Sequence, residues 1–143
     1  MIFMHTLPTV LDGSKTSTCR IRQWGEELRD GVLYDAKGQV KYKVGGIYAV
    51  QAGRGEKGLA HIVITSIEPF YILDATEADA QTEGFATVRE FWQLWNKMHG
   101  KPTFEYYFNK LHLSNEDLLT IFKTADFPFW QSWRIRFELK KEA

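Results

Sequence analysis

Polar and less polar positions alternate from Lys15 to Arg22. Thr16, Thr18, Arg20 and Arg22 form one row, and Ser17, Cys19 and Ile21 the other. Successive side chains on a strand point to opposite faces, so this run predicts a strand whose second row meets the core. Leu59 to Ile67 predicts another strand. There Leu59, His61, Val63, Thr65 and Ile67 alternate with Ala60, Ile62, Ile64 and Ser66, and both faces read as mostly buried. Lys43-Val44-Gly45-Gly46 reads as a turn feeding a strand from Ile47 to Gln51, and Trp133 to Leu139 alternates as a further strand. Helical signals are fewer. Pro8 to Gly13 suits a short helix ending at Gly13. Thr87-Val88-Arg89-Glu90 has the form of a capping box, followed by a stripe of Val88, Phe91, Trp92, Trp95 and Met98. Ser114 to Lys123 predicts another short helix. Strands dominate and helices are inserted between them. The expected class is α+β, mainly β: a small β-barrel with peripheral helices.

The 143 residues are enough for one domain spanning 1–143, with no repeat and no Pro-, Gly- or Ser-rich linker to divide it. Aromatic residues make up 15%, which calls for a core, a cleft or both. Lys and Arg number 18, as do Asp and Glu, so the net charge is zero. That balance argues against coating a long duplex by phosphate neutralisation. It leaves room for a small ligand, or for a few bases in a local basic cleft. The single cysteine, Cys19, excludes an internal disulfide. No Cys/His cluster has metal-ligand spacing, so neither metal nor cofactor is expected. No basic start with a long apolar run opens the chain, and no stretch of about 18 apolar residues could span a bilayer. The expected compartment is the cytoplasm, with no membrane partner.

Gly53-Arg54-Gly55-Glu56-Lys57-Gly58 matches G-x-G-x-x-G, but a dinucleotide site needs a helix after the glycines. Here a strand pattern follows, so a hairpin is expected. More chemistry sits in Gly13-Ser14-Lys15-Thr16-Ser17-Thr18-Cys19-Arg20. A partly desolvated lysine beside a hydroxyl can act as general base, here Lys15 toward Thr18. Arg20 could bind a phosphate or a base carbonyl, with Thr16 and Arg22 beside it, and Trp24 could stack on a base. Solvated residues on an edge strand would look the same. Phe91, Trp92 and Trp95 read as core. The histidines His5, His61, His99 and His112 are scattered and receive no role.

Leu11-Asp12-Gly13-Ser14-Lys15-Thr16-Ser17-Thr18-Cys19-Arg20 resembles the signature of ASCH domains, an apolar residue followed by G-x-K-T-x-T-x-R. Ala80-Gln81-Thr82-Glu83-Gly84-Phe85 followed by Ala86 to Trp92 resembles that family's second hallmark, an A-x-x-E-G-F segment ahead of a helix carrying E-F. Val44-Gly45-Gly46-Ile47-Tyr48 is similar to its V-G-D turn, with Gly46 where Asp is common, and Trp133 to Leu139 fits its closing strand. The resemblance runs over most of the chain and implies a PUA-like barrel. It also implies a cleft between the first strand and the glutamate segment. Among ASCH proteins are small bacterial enzymes that deacetylate N4-acetylcytidine with a lysine, a threonine and a glutamate. By motif position these are Lys15, Thr18 and Glu83. The resemblance therefore implies an amidohydrolase acting on an N4-acylated cytidine-type nucleoside, with Arg20, Thr16, Arg22 and Trp24 contacting substrate. Other ASCH proteins are credited with binding or cutting RNA, so a module for short single-stranded RNA is the alternative. That alternative would expose Arg20, Arg22, Arg54 and Lys57 along an open groove. A third class is a protein-interaction module, presenting the aromatic Phe104 to Trp133 region as its apolar face. Glu83 could instead simply cap the helix that follows it.

Overall fold

The structure, a computed structural model, describes residues 1–3, 5–95, 97–98 and 131–140. The expected helix at Ser114 to Lys123 lies outside them, as does nearly all of the Phe104 to Trp133 region. The described chain runs α1 (Leu7–Leu11), β1 (Ser17–Ile21), β2 (Glu27–Arg29), β3 (Val32–Tyr34), β4 (Val40–Lys43), β5 (Ile47–Val50), β6 (Ala60–Tyr71), α2 (Glu77–Thr82), α3 (Val88–Trp95) and β7 (Gln131–Leu139). The class is the expected one, mainly β with helices at the periphery.

The larger sheet is antiparallel, in the order β1-β7-β6-β5. Its spine is β6, joined to β5 by the glycine-rich hairpin and to β7 along most of its length. The pairing shifts register between Ile64 and Ser66. Such a bulge flips the inside–outside alternation. Ile62 and Ile64 are buried before it, and Ile67 after it, so strict alternation across the whole strand fails here. The expectation that both faces of this strand are mostly buried is also corrected, since Leu59, His61 and Thr65 are exposed.

A smaller sheet, β2-β3-β4, has no counterpart in the sequence reading. Leu33 of β3 pins it to the larger sheet, packing with Ile64, Ile67, Trp133 and Ile135. The buried carboxylate of Glu26 adds a polar lock. It accepts hydrogen bonds from the Gln23 N–H (2.6 Å), Trp133 Nε1 (3.1 Å) and Lys41 Nζ (2.6 Å). A buried carboxylate is tolerable only with its charge paired and its lone pairs used, and here they are. The two sheets together make a barrel-like body whose ladder is split in two and bridged by side chains.

The α3 stripe packs as expected for Val88, Phe91, Trp92 and Trp95, which join Ile72, Leu73 and Ala80 in one cluster. Met98 departs from it and stays half-exposed. Thr87 Oγ1 accepts from the Glu90 N–H at 3.2 Å, but the Glu90 carboxylate reaches the Ala86 N–H. The box is therefore displaced by one residue on its return side.

Gly46 shows why this chain departs from V-G-D. A Cβ there would lie 2.7 Å from the Tyr48 ring and 2.9 Å from the Lys43 carbonyl. Tyr48 Oη accepts from the Lys43 N–H, and its ring rests edge-on against Tyr42. Gly46→Ala must displace that ring, at a cost of about 1–3 kcal/mol. Thermal melts should show Tm lowered by several degrees, and an unchanged Tm would mean the ring is not held there.

Candidate active site

The site is assembled from a loop, a strand and a helix end. Pro8 in the first turn of α1 fixes its start, and the chain turns at Asp12-Gly13. The Lys15 N–H then donates to the Thr9 carbonyl (2.9 Å), turning the lysine inward. The Thr16 N–H donates to the Thr82 carbonyl (2.9 Å), which ties this loop to the end of α2.

That end has a definite geometry. Gly84 N–H donates to the Gln81 carbonyl and Phe85 N–H to the Ala80 carbonyl, while Gly84 takes φ of 92°. These are the two bonds of a Schellman motif, which needs a left-handed residue at the glycine position. The E-G-F segment is thus a helix terminus, and Glu83 is its C-cap residue. The alternative that Glu83 caps the following helix is corrected: it closes the preceding one, and its side chain turns inward.

Lys15 and Glu83 are both almost fully buried, at 4% and 2% exposure. Lys15 Nζ donates to the backbone carbonyl of Glu83 at 2.6 Å. The Glu83 carboxylate accepts from Ser17 Oγ, which also contacts Thr82 Oγ1 at 3.0 Å. Burial pushes the Lys15 ammonium below the ordinary lysine range, and the Glu83 charge opposes that shift. Burial, with the Glu83 carboxylate beside it, pushes the Cys19 thiol well up. Cys19 therefore remains a thiol at neutral pH and is a poor nucleophile. Among the described residues no hydrogen bond joins Lys15 Nζ to Thr18 Oγ1.

Lys15, Thr18, Arg20 and Glu83 line one cavity of about 300 Å³. Among the described residues β1 pairs with β7 alone, and residues from both of its rows line the cavity. Cys19 and Ile21 pack against the α3 cluster, as alternation required, yet line the cavity as well. Part of the lining is aromatic. Phe85 stacks on Phe91 (5.4 Å, 15°), and Phe91 meets Trp95 edge-on (6.4 Å, 85°). Phe91 and Trp95 thus serve as core and wall at once.

Three sequence candidates lie elsewhere. Thr16 is exposed and contributes backbone bonds, its carbonyl accepting from the Phe137 N–H. The guanidinium of Arg22 lies over the Trp133 ring at 4.8 Å. Trp24 is 92% exposed on the loop before β2. None of the three lines the cavity. Arg54 and Lys57 sit on the exposed β5–β6 hairpin, while Arg20 is drawn inside, so these cations do not share a groove. Conversely, the cavity includes Ile2, Phe3, His5, Lys41 and Tyr42, which sequence reasoning did not select. Ser17 was read only as a core-facing residue; its partnership with Glu83 becomes visible once α2 is placed.

By sequence, no family model and no curated protein matches the chain. Solved structures do. The crystal structure of an ASCH domain from Lactobacillus crispatus superposes with a TM-score of 0.58 and 17% identity, over 94% of this chain and 69% of that one. The chain shares the fold of that domain. An Enterococcus faecalis protein of the family DUF984 superposes with a TM-score of 0.55 and 18% identity, over 96% of this chain and 73% of that one. In this fold the first hallmark runs from the end of α1 into β1 and the second is a helix terminus; the two are joined by hydrogen bonds and border the same cavity. Among the described residues no helix is long and apolar enough to cross a membrane.

Proposed function

We propose that this ASCH fold is an amidohydrolase, a single cytoplasmic domain that removes the acyl group from an N4-acylated cytidine-type substrate. The observation carrying the reading is that Lys15, Thr18 and Glu83 line the same cavity, whose volume suits about one nucleoside. In the proposed reaction Thr18 Oγ attacks the amide carbonyl. Neutral Lys15 can keep its N–H bond to the Glu83 carbonyl while its lone pair takes the threonine proton, directly or through one water. That proton passes to the departing N4 amine, leaving an acyl ester on Thr18. Water then attacks the ester. Glu83 accepts the water proton, which returns to Thr18 Oγ as the acid leaves. Ser17 holds the Glu83 carboxylate in position throughout.

Purified protein incubated with N4-acylated cytidines, followed by ultraviolet absorbance, tests this directly. No hydrolysis of any member, with binding or cleavage of short RNA instead, would favour the RNA-module reading.

The mechanism also fixes a pH dependence. Only neutral Lys15 accepts a proton, so kcat should rise with pH and level off below the ordinary lysine range, because burial depresses that group. Arg20 pushes Lys15 down and Glu83 pushes it up. Arg20→Gln should therefore move the rising limb to higher pH, and residual Glu83→Gln activity should show it at lower pH. A limb that ignores both charges would remove Lys15 from the base role.

A further inference from the structure

The cavity has more positive charge than its own carboxylate can answer. Arg134 shows how this chain treats a cation drawn inward: it bonds Glu68 at 2.7 Å and Asp79 at 2.9 Å. Lys41 is likewise paired with Glu26. Arg20 is the exception. Its Nη2 donates to the Ile2 carbonyl at 2.8 Å, its guanidinium leans on the Phe3 ring at 5.3 Å, and its Nε is buried without a hydrogen-bond partner. Among the described residues no carboxylate forms an ion pair with it. Withdrawing a guanidinium from water costs free energy unless an anion answers it. Among the described residues the Glu83 carboxylate feels the Arg20 charge across the cavity but forms no ion pair with it.

The cavity supplies room for such an anion. Arg20 and Lys41 both line it, as do Gln23 and Tyr42. The aromatic residues Phe85, Phe91 and Trp95 form the wall suited to a base. A guanidinium fork and an ammonium are the groups that recognise phosphate oxygens. Resting on the reading of the cavity as a nucleoside site, we infer that its ligand is a nucleoside monophosphate, with the phosphate held by Arg20 and Lys41 and the base against the aromatic wall. A single nucleotide is favoured over a longer strand because the volume holds about one, and because Arg22, Arg54 and Lys57 do not extend the cationic wall beyond it.

The test is calorimetric titration of the wild-type protein with cytidine, cytidine 5′-monophosphate, cytidine 3′-monophosphate and a cytidine trinucleotide. One monophosphate should bind roughly tenfold or more tightly than cytidine, as charge-assisted hydrogen bonds to phosphate allow. Raising the salt concentration should shrink the gap. Lys41→Gln and Arg20→Gln should each bring the monophosphate toward the affinity of cytidine. Should Arg20→Gln lose its fold through Ile2, or Lys41→Gln through the Glu26 carboxylate left unpaired, the wild-type comparison of cytidine with its monophosphates still decides. Equal affinity for cytidine and both monophosphates overturns the inference, even if N4-acetylcytidine is hydrolysed. A trinucleotide that binds more tightly than either monophosphate overturns it in favour of an RNA strand. Phosphate preference without any deacylation leaves the inference standing and removes the amidohydrolase reading.

Discussion

Thr18→Ala is expected to abolish deacylation, with turnover reduced roughly a thousandfold or more, the scale seen when a covalent nucleophile is deleted. The substitution removes a hydroxyl and a methyl from a residue at 6% exposure whose neighbours on β1 and β7 remain paired. The fold should survive, which makes the loss interpretable. Lys15→Met should be comparably inactive, since it removes the base while filling much of the same volume. If Thr18 and Lys15 act as one unit, the double variant should be little worse than either single one. Full additivity of the two losses would mean that they serve different steps. Wild-type turnover by Thr18→Ala would transfer the nucleophile role elsewhere. The buried Cys19 thiol is a poor replacement because its ionisation is suppressed.

The second large effect is expected at Gly84. An alanine there meets two independent obstacles. Its backbone sits at φ of 92°, which side chains other than glycine rarely adopt, and its Cβ would come within 2.7 Å of Thr9 Oγ1 and 3.5 Å of Lys15 Cδ. Strain and overlap together should cost about 2–4 kcal/mol, and Tm should fall by roughly 10 °C. Activity should fall further than stability explains, because the displaced atom belongs to Thr9, whose carbonyl accepts the Lys15 N–H and so aims that lysine. Melting curves and single-turnover rates on still-folded protein separate the two effects. A variant that melts lower yet retains wild-type turnover would show that Lys15 does not depend on the helix terminus for its placement.

Much of this architecture could be read from residue order. The strand at 15–22, the β5–β6 hairpin, the closing strand and the α3 stripe each carry a period long enough to be visible. The smaller sheet does not. β2, β3 and β4 have three or four residues each, so the alternation in Glu27-Leu28-Arg29 and Val40-Lys41-Tyr42-Lys43 is too short to stand out. The bulge in β6 is likewise invisible, because an extra residue leaves no mark in composition. That Lys15, Thr18, Arg20 and Glu83 line one cavity was legible only through the resemblance to the ASCH hallmarks. The local sense of Glu83 was not, although Gly84 after Ala80-Gln81-Thr82-Glu83 is a helix-stop signal that the sequence does contain. Trp24 was misplaced as a ligand contact because exposure depends on which loop faces the cavity, a long-range fact. Lys41 and Phe3 entered for the same reason in reverse.

The pairing of β1 with β7 has a kinetic implication. The Glu83 backbone is set by bonds spanning a few residues, whereas Thr18, and the Ser17 that holds the Glu83 carboxylate, sit on a strand whose partner comes from the far side of the sequence. Contacts so distant form late, since the intervening chain must lose its freedom before they repay it. A partly folded chain would possess the helix terminus without the residues that face it. Chemical competence in this protein thus arrives with the last step of topology, and recovery of turnover during refolding should lag recovery of helix.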